Sequence, residues 1–143
     1  MTETDLGRLR QQLTTHEGLR LRPYVDTVGK LTIGVGRNLT DKGISYAEAM
    51  VLLDNDVDEV TSDLGAYGWF SPLDSVRQLA LADLRFNLGP GRFRTFRKML
   101  AALEAGNYEA AAAQLIDSAW AAQVQPSRRD RLYRMLRTGT EAA

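Results

Sequence analysis

The chain has 143 residues, no cysteine and one histidine, a size suited to one domain with one core, and it excludes disulfides, cysteine zinc sites and a thiol nucleophile. Apolar residues make up 44% and charged residues 25%, ordinary globular proportions that argue against disordered and fibrous classes. Net charge is zero but uneven: residues 1–71 carry 7 basic against 11 acidic side chains and residues 72–143 carry 11 against 7, so the second half attracts anionic polymers without choosing among nucleic acid, lipid and cell wall.

The opening "MTETDLGRLRQQLTTHEG" lacks the basic start, apolar run and small-residue cleavage site of a secretory signal. No segment approaches the roughly 18 apolar residues of a membrane span, so the expectation is a chain made in a cytoplasm without stable membrane insertion. Leu6, Leu9 and Leu13 recur at helical spacing up to Gly18, which predicts a first helix ending near Glu17. His16 reads as an exposed histidine near that helix C-terminus. It is also the only candidate base for a Ser-His-Asp triad, and nothing near it resembles a nucleophile elbow. From Leu19 to Arg37 the pattern changes. Pro23, Gly29, Gly34 and Gly36 punctuate the runs "LRPYVD" and "KLTIGV", with "TVGK" as a turn, which predicts a small antiparallel sheet.

Downstream the chain reads as helical. "SYAE" at 45–48 is a capping box, followed by a stripe of Tyr46, Met50, Leu53, Val57, Val60 and Leu64. The acidic run Asp54, Asp56, Asp58 and Glu59 reads as a solvated helix face. "SPLD" predicts a cap at Ser71 with Pro72 at the first helical position, and Leu73, Val76, Leu79, Ala80 and Leu84 then form a core stripe ending near "NLGPG". Shorter helices are expected over Phe96–Leu103, Tyr108–Trp120 and Arg128–Arg137, separated by Gly106-Asn107 and Pro126-Ser127.

The stretch "HEGLRLRPYVDTVGKLTIGVGR" carries the chemistry. Eight residues separate Glu17 from Asp26, and five separate Asp26 from Thr32. Two carboxylates in different surroundings can divide acid and base work, which glycosidic hydrolysis requires. For Glu17 and Asp26 to cooperate the chain must fold back between them, and a helix end followed by a hairpin supplies the means. Thr32, on the return strand, has a hydroxyl able to hold a water. By spacing alone, a helix-end glutamate, a turn aspartate and a strand threonine are also ordinary structural choices.

The segments "EGLRL", "YVDTVG" and "TIGVGR" resemble the phage-type lysozymes, glycoside hydrolase family 24, whose signature is a glutamate, eight residues, an aspartate, five residues and a threonine. The likeness continues through "LLDNDVDEV", "SPLDSVRQLALADLRFNLG", Trp120 and "PSRRDRLYRMLRTGT". It implies an α+β, mainly helical, lysozyme-like fold in one domain of residues 1–143. A small antiparallel β lobe over about 19–37 and a larger helical lobe over about 1–18 and 45–138 would flank a cleft. It further implies hydrolysis of the β-1,4 bond between N-acetylmuramic acid and N-acetylglucosamine, with Glu17 as general acid and with Asp26 and Thr32 positioning and activating water. Inversion would follow if the two carboxyls stand about 6.5–9.5 Å apart. By the same resemblance Arg128 aligns with an arginine that pairs with the catalytic glutamate, and Asn87 with a residue that bonds an acetamido group; both are substrate-binding candidates. Bacterial peptidoglycan is then the partner of a monomer, with no metal, cofactor or nucleic acid. Action would fall on the wall after a holin or similar breach of the host membrane. Two departures stand out: Arg37 occupies a position where the family often has histidine, and the connection from Asn38 to Ser45 is shorter than in members from T-even phages.

Two further readings compete. "RRDRLYRMLR" is a basic amphipathic helix and "GRFRTFRK" interleaves arginine with phenylalanine, as in a module that binds an anionic wall, lipid or nucleic acid. A lytic transglycosylase would need the acid but not a water-activating aspartate, and the presence of Asp26 and Thr32 argues against it.

Overall fold

The computed structural model describes residues 1–141. Among them the order is α1 (Glu3–Glu17), β1 (Arg20–Val25), β2 (Leu31–Gly34), β3 (Arg37–Asn38), α2 (Tyr46–Gly65), α3 (Ser75–Arg94), α4 (Arg97–Glu104), α5 (Tyr108–Ile116), α6 (Ala119–Gln123) and α7 (Pro126–Thr138). The mainly helical α+β class expected above is the one observed. The chain forms two compact units, Met1–Val51 and Leu52–Ala143. No helix among the described residues is long and apolar enough to cross a membrane.

In the first unit, Thr2 starts α1 with a reciprocal cap: its hydroxyl accepts from the Asp5 amide at 3.1 Å, and the Asp5 carboxylate accepts from the Thr2 amide at 3.0 Å. This satisfies two amides that the first helical turn leaves without partners. Gly18 ends the helix with φ 78°, its N–H reaching the Thr14 carbonyl at 2.9 Å. The three strands lie antiparallel in the order β1-β2-β3. Pro23 sits on the edge strand β1, beside a register shift between Arg20 and Tyr24, where a missing N–H costs no ladder bond. β2 is central, with Thr32 paired to both Tyr24 and Asn38. Among the described residues of this unit Thr32 alone is buried, at 3% exposure. The two-residue strand β3 is an addition to the hairpin expected from the sequence. The capping box at the start of α2 is as expected: Glu48 accepts from the Ser45 amide at 2.9 Å and Ser45 Oγ from the Glu48 amide at 3.1 Å.

In the second unit, the core is built from the last turns of α2 (Val60, Leu64), from α3 (Leu81, Leu84, Phe93), and from α4, α5 and α7 (Met99, Leu103, Leu115, Leu132, Leu136). Burial of each such side chain contributes about 1.5–3 kcal/mol. The α2 stripe differs from expectation, since Tyr46, Leu53 and Val57 are exposed and only Val60 and Leu64 enter the core. The acidic run Asp54, Asp56, Asp58 and Glu59 is exposed as expected, and Glu59, with its side chain 63% exposed, also reaches back to Arg85. Arg85 of α3 is buried at 3% exposure, donating to Asp63 at 2.6 Å and to Glu59 at 3.1 Å, and Arg94 adds a second contact to Asp63 at 3.2 Å. Burial works against the Arg85 charge, yet Asp63 and Glu59 outweigh it and raise its pKa. Asp63 in turn is held below the usual aspartate range, first by the Arg85 hydrogen bond.

Three helix boundaries moved from their expected places. The α3 cap is Asp74, whose side chain accepts from the Arg77 amide at 3.0 Å, rather than Ser71 with Pro72. Leu73 is drawn into the core instead, its amide bonded to the Phe70 carbonyl at 3.0 Å. Leu79, expected in the core stripe, is 55% exposed. The break near "NLGPG" is real, with Gly89 at φ 81° and ψ 167°, and helical residues resume from Pro90 to Arg94. The segment expected as one helix over 108–120 divides at Asp117–Ser118, because the Ser118 hydroxyl caps a new short helix at the Ala121 amide. Pro126 opens α7 and Gly139 closes it in the left-handed region at φ 70°.

Candidate functional site

Glu17 is the last residue of α1 and its side chain is exposed. The negative end of the helix dipole is an unfavourable place for a carboxylate kept only for stability. Among the described residues no hydrogen bond or ion pair holds it. Its carboxyl lies against Gly36 in the turn between β2 and β3. A β-carbon built on Gly36 would stand 2.8 Å from Oε2, closer than real β-carbons come, and a tight 3.1 Å from Cδ and Cγ, so any other residue there would push the Glu17 carboxyl aside. Gly36 also has φ 64°, a region that favours glycine.

Asp26 follows β1 and closes the hairpin turn. Its Oδ1 accepts from the Val28 amide at 2.9 Å and the Lys30 amide at 2.8 Å, while its own amide donates to the Lys30 carbonyl at 2.9 Å. This is an aspartate-centred turn, a local structure that short acidic side chains make with amides two to four residues on. It fixes one carboxylate oxygen. Among the described residues the other, Oδ2, accepts no hydrogen bond.

Thr32 Oγ1 donates to the Lys30 carbonyl at 3.0 Å, which leaves its lone pairs free to accept. Asp26 is opposite Lys30 and Tyr24 is opposite Thr32, so Asp26 and Thr32 project from the same face of the hairpin. Such diagonal neighbours are about 7–8 Å apart. The first unit therefore collects Glu17, Asp26 and Thr32 around one sheet: Glu17 through Gly36, the other two on the hairpin.

The remaining candidates belong to the second unit. Asn87, on α3 two positions before the Gly89 break, accepts from the indole N–H of the buried Trp120 at 2.8 Å. That bond decides which way the amide points. With its oxygen taken, Asn87 offers its two N–H donors outward. The Arg128 guanidinium meets Asp83 of α3, with Nε at 2.8 Å and Nη2 at 2.6 Å from Oδ1. Arg37, the departure noted above, forms an ion pair with Glu48, its Nη1 2.8 Å from the carboxylate. The hydrogen bond from Arg37, with the Ser45 cap behind it, brings Glu48 down to about 2.

Sequence reasoning passed over Gly36, Trp120 and Asp83. The run "TIGVG" displays Gly36 but nothing in it says that a carboxyl will lie against that glycine. The Asn87–Trp120 and Arg128–Asp83 pairs join residues 33 and 45 positions apart, and no local pattern announces them.

A sequence model of the family described as Phage lysozyme matches residues 14–132, a span that includes all five candidates. The chain is 28% identical to "Probable T4-type lysozyme 2" of Dictyostelium discoideum, over 94% of this chain and 96% of that protein. It is 29% identical to "Pre-baseplate central spike protein Gp5" of Enterobacteria phage T4, over 92% of this chain but only 28% of that longer protein. The "SAR-endolysin" of Escherichia phage Mu is 35% identical over 74% of this chain and 63% of that protein.

Proposed function

The chain belongs to the phage lysozyme family, and from that premise we propose that it is an endolysin-type muramidase hydrolysing the β-1,4 bond between N-acetylmuramic acid and N-acetylglucosamine. The observation that carries this reading is an exposed carboxyl, Glu17, without a polar partner among the described residues, packed on the turn of the same sheet that bears Asp26 and Thr32. Glu17 protonates the leaving glycosidic oxygen as the bond from the muramic acid anomeric carbon breaks. A water forms the new bond to that carbon from the opposite face. Thr32 holds this water through a free lone pair, and Asp26 takes its proton on Oδ2, the oxygen that the turn amides leave open. The anomeric configuration inverts. Asn87 serves as a donor to an acetamido carbonyl and Arg128 as a second substrate contact, supported by the fixed amide orientation and the anchored guanidinium.

Wall action fits the peptidoglycan substrate. We place production in a host cytoplasm, with holin-type release and a monomeric enzyme, as part of this proposal.

Product analysis tests it. Purified peptidoglycan digested by the protein should yield muropeptides with reducing N-acetylmuramic acid ends by mass spectrometry, and proton NMR should find the α anomer first. Anhydro ends would make the enzyme a transglycosylase, a β anomer would refute inversion, and no cleavage at all would leave only a binding module.

Asp26→Asn separates charge from structure. The asparagine keeps an oxygen for the Val28 and Lys30 amides, so the thermal midpoint should fall by no more than about 5 °C, since losing one modest hydrogen bond is the most the turn would suffer. Turnover should nevertheless drop by about 10²-fold or more, the usual contribution of a general base. Parallel melting and kcat measurements decide, and near-normal turnover would remove Asp26 from the chemistry.

A further inference from the structure

We propose that Gly36 is the seat that holds the Glu17 carboxyl in its working position, and that Arg37, through its ion pair with Glu48, is a positioning residue that keeps this seat in place. The inference rests on the reading of Glu17 as the acid.

Among the described residues no hydrogen bond holds Glu17, so its position is set by packing. A glutamate side chain left in water samples several rotamers about each flexible bond. The position it takes lies against Gly36, with the carboxyl and the methylene next to it within 2.8–3.1 Å of where any other residue would carry its β-carbon, so a side chain there would displace it. Gly36 thus does more than permit a positive φ. It supplies a surface without a side chain, on which the Glu17 carboxyl can lie without being pushed aside.

A seat positions nothing unless it is itself fixed, and the backbone around Gly36 is lightly anchored. β3 is two residues long, paired to β2 through Thr32–Asn38 and Ile33–Arg37. The loop that follows is bonded back by the amides of Leu39 and Thr40 to the Leu31 carbonyl, at 2.7 and 3.3 Å. Arg37 directly follows Gly36 and adds a restraint from outside the sheet. Its Nη1 reaches Glu48 at 2.8 Å and the Gly43 carbonyl at 3.4 Å, tying the turn to the first turn of α2. Glu48 is held from its other side by the Ser45 amide at 2.9 Å. A half-exposed pair of this kind contributes little to stability, so geometry is the effect to look for. With Glu48 ionised down to about 2 and a guanidinium always charged, the restraint persists throughout the range in which a wall hydrolase works.

The test measures kcat, KM and thermal midpoint for Gly36→Ala, Arg37→Ala, Arg37→Lys, Glu48→Ala and the Arg37→Ala/Glu48→Ala pair, with Glu17→Gln as the reference for a lost acid. Gly36→Ala should lower kcat by about 10²-fold, the cost of misplacing a reacting group by an ångström or so, with KM nearly constant. Arg37→Ala and Glu48→Ala should each lower kcat by about tenfold and the double variant by no more than either, because they break one tie. Arg37→Lys should restore part of the loss. If Gly36→Ala does not fold, the surface variants at 37 and 48 decide. Wild-type kcat in those variants beside an inactive Glu17→Gln overturns the proposal alone, as does full additivity of the pair. Retained turnover in Glu17→Gln overturns the acid assignment and this inference with it.

Discussion

Replacing Glu17 by glutamine should lower kcat on purified peptidoglycan by about 10³-fold, within the range a positioned general acid supplies. KM and the thermal midpoint should stay close to those of the wild type. Glutamine has the same shape, so it fits the same space against Gly36. No hydrogen bond or ion pair among the described residues depends on the carboxylate, and the side chain is exposed at the last position of α1. What disappears is the transferable proton, because an amide N–H is far too weak an acid to protonate a leaving sugar oxygen. Loss of kcat without loss of binding is the mark of an interaction made only in the transition state. A binding module would tolerate this change without loss of function. Turnover within a few-fold of wild type would therefore refute the assignment of Glu17 and leave the chemistry to other residues.

Arg85→Ala should be the most damaging single change to the fold, destabilising the chain by about 3 kcal/mol, as expected when one member of a buried ion pair is removed. For a chain of this length that is a fall of roughly 10 °C in the midpoint. Arg85 is almost wholly buried, and its guanidinium binds two carboxylates on α2, Asp63 at 2.6 Å and Glu59 at 3.1 Å. Truncation leaves Asp63, which is itself mostly covered, with Arg94 as its remaining partner. It also opens space under the last turns of α2. Arg85→Met fills that space with apolar atoms and should cost much less, since a packed hydrophobe often replaces a buried ion at little loss. Equal destabilisation by Met and Ala would show that charge neutralisation of Asp63, rather than packing, dominates. The Asp63 contribution has a defined pH window. Its folded pKa is depressed, so the stabilisation is present above the ordinary aspartate value and fades as pH falls through the depressed one.

Much of the candidate site could be read before any coordinates. The Glu17, Asp26 and Thr32 spacing lies within 16 residues, and each element that presents them is local: a helix that ends at Gly18, an aspartate turn, and a short hairpin. The Ser45–Glu48 box was equally legible, because both partners lie in one turn of chain. Reading failed where the decisive partner was distant, and also where several small polar residues compete for one cap, as Asp74 did over Ser71. The spacing of Leu53 and Val57 on α2 correctly marks a helix, but periodicity cannot say whether another element will cover that face, and here both residues are exposed. Ser118 was a small polar residue in a good helical run until its hydroxyl capped a second helix.

Helices, turns, the Ser45–Glu48 cap and the closeness of Glu17, Asp26 and Thr32 along the chain follow from the order of residues, since each depends on neighbours that the chain itself keeps within a few ångströms. The packed arrangement settles what those local rules leave open: that Asp63 meets Arg85 across 22 positions, that Trp120 turns the Asn87 amide across 33, that Asp83 takes Arg128 across 45, and that Gly36 lies under Glu17. Such pairs form only when the core brings separate elements together, because their enthalpy must offset the entropy of closing a long loop and no local preference encodes the partner.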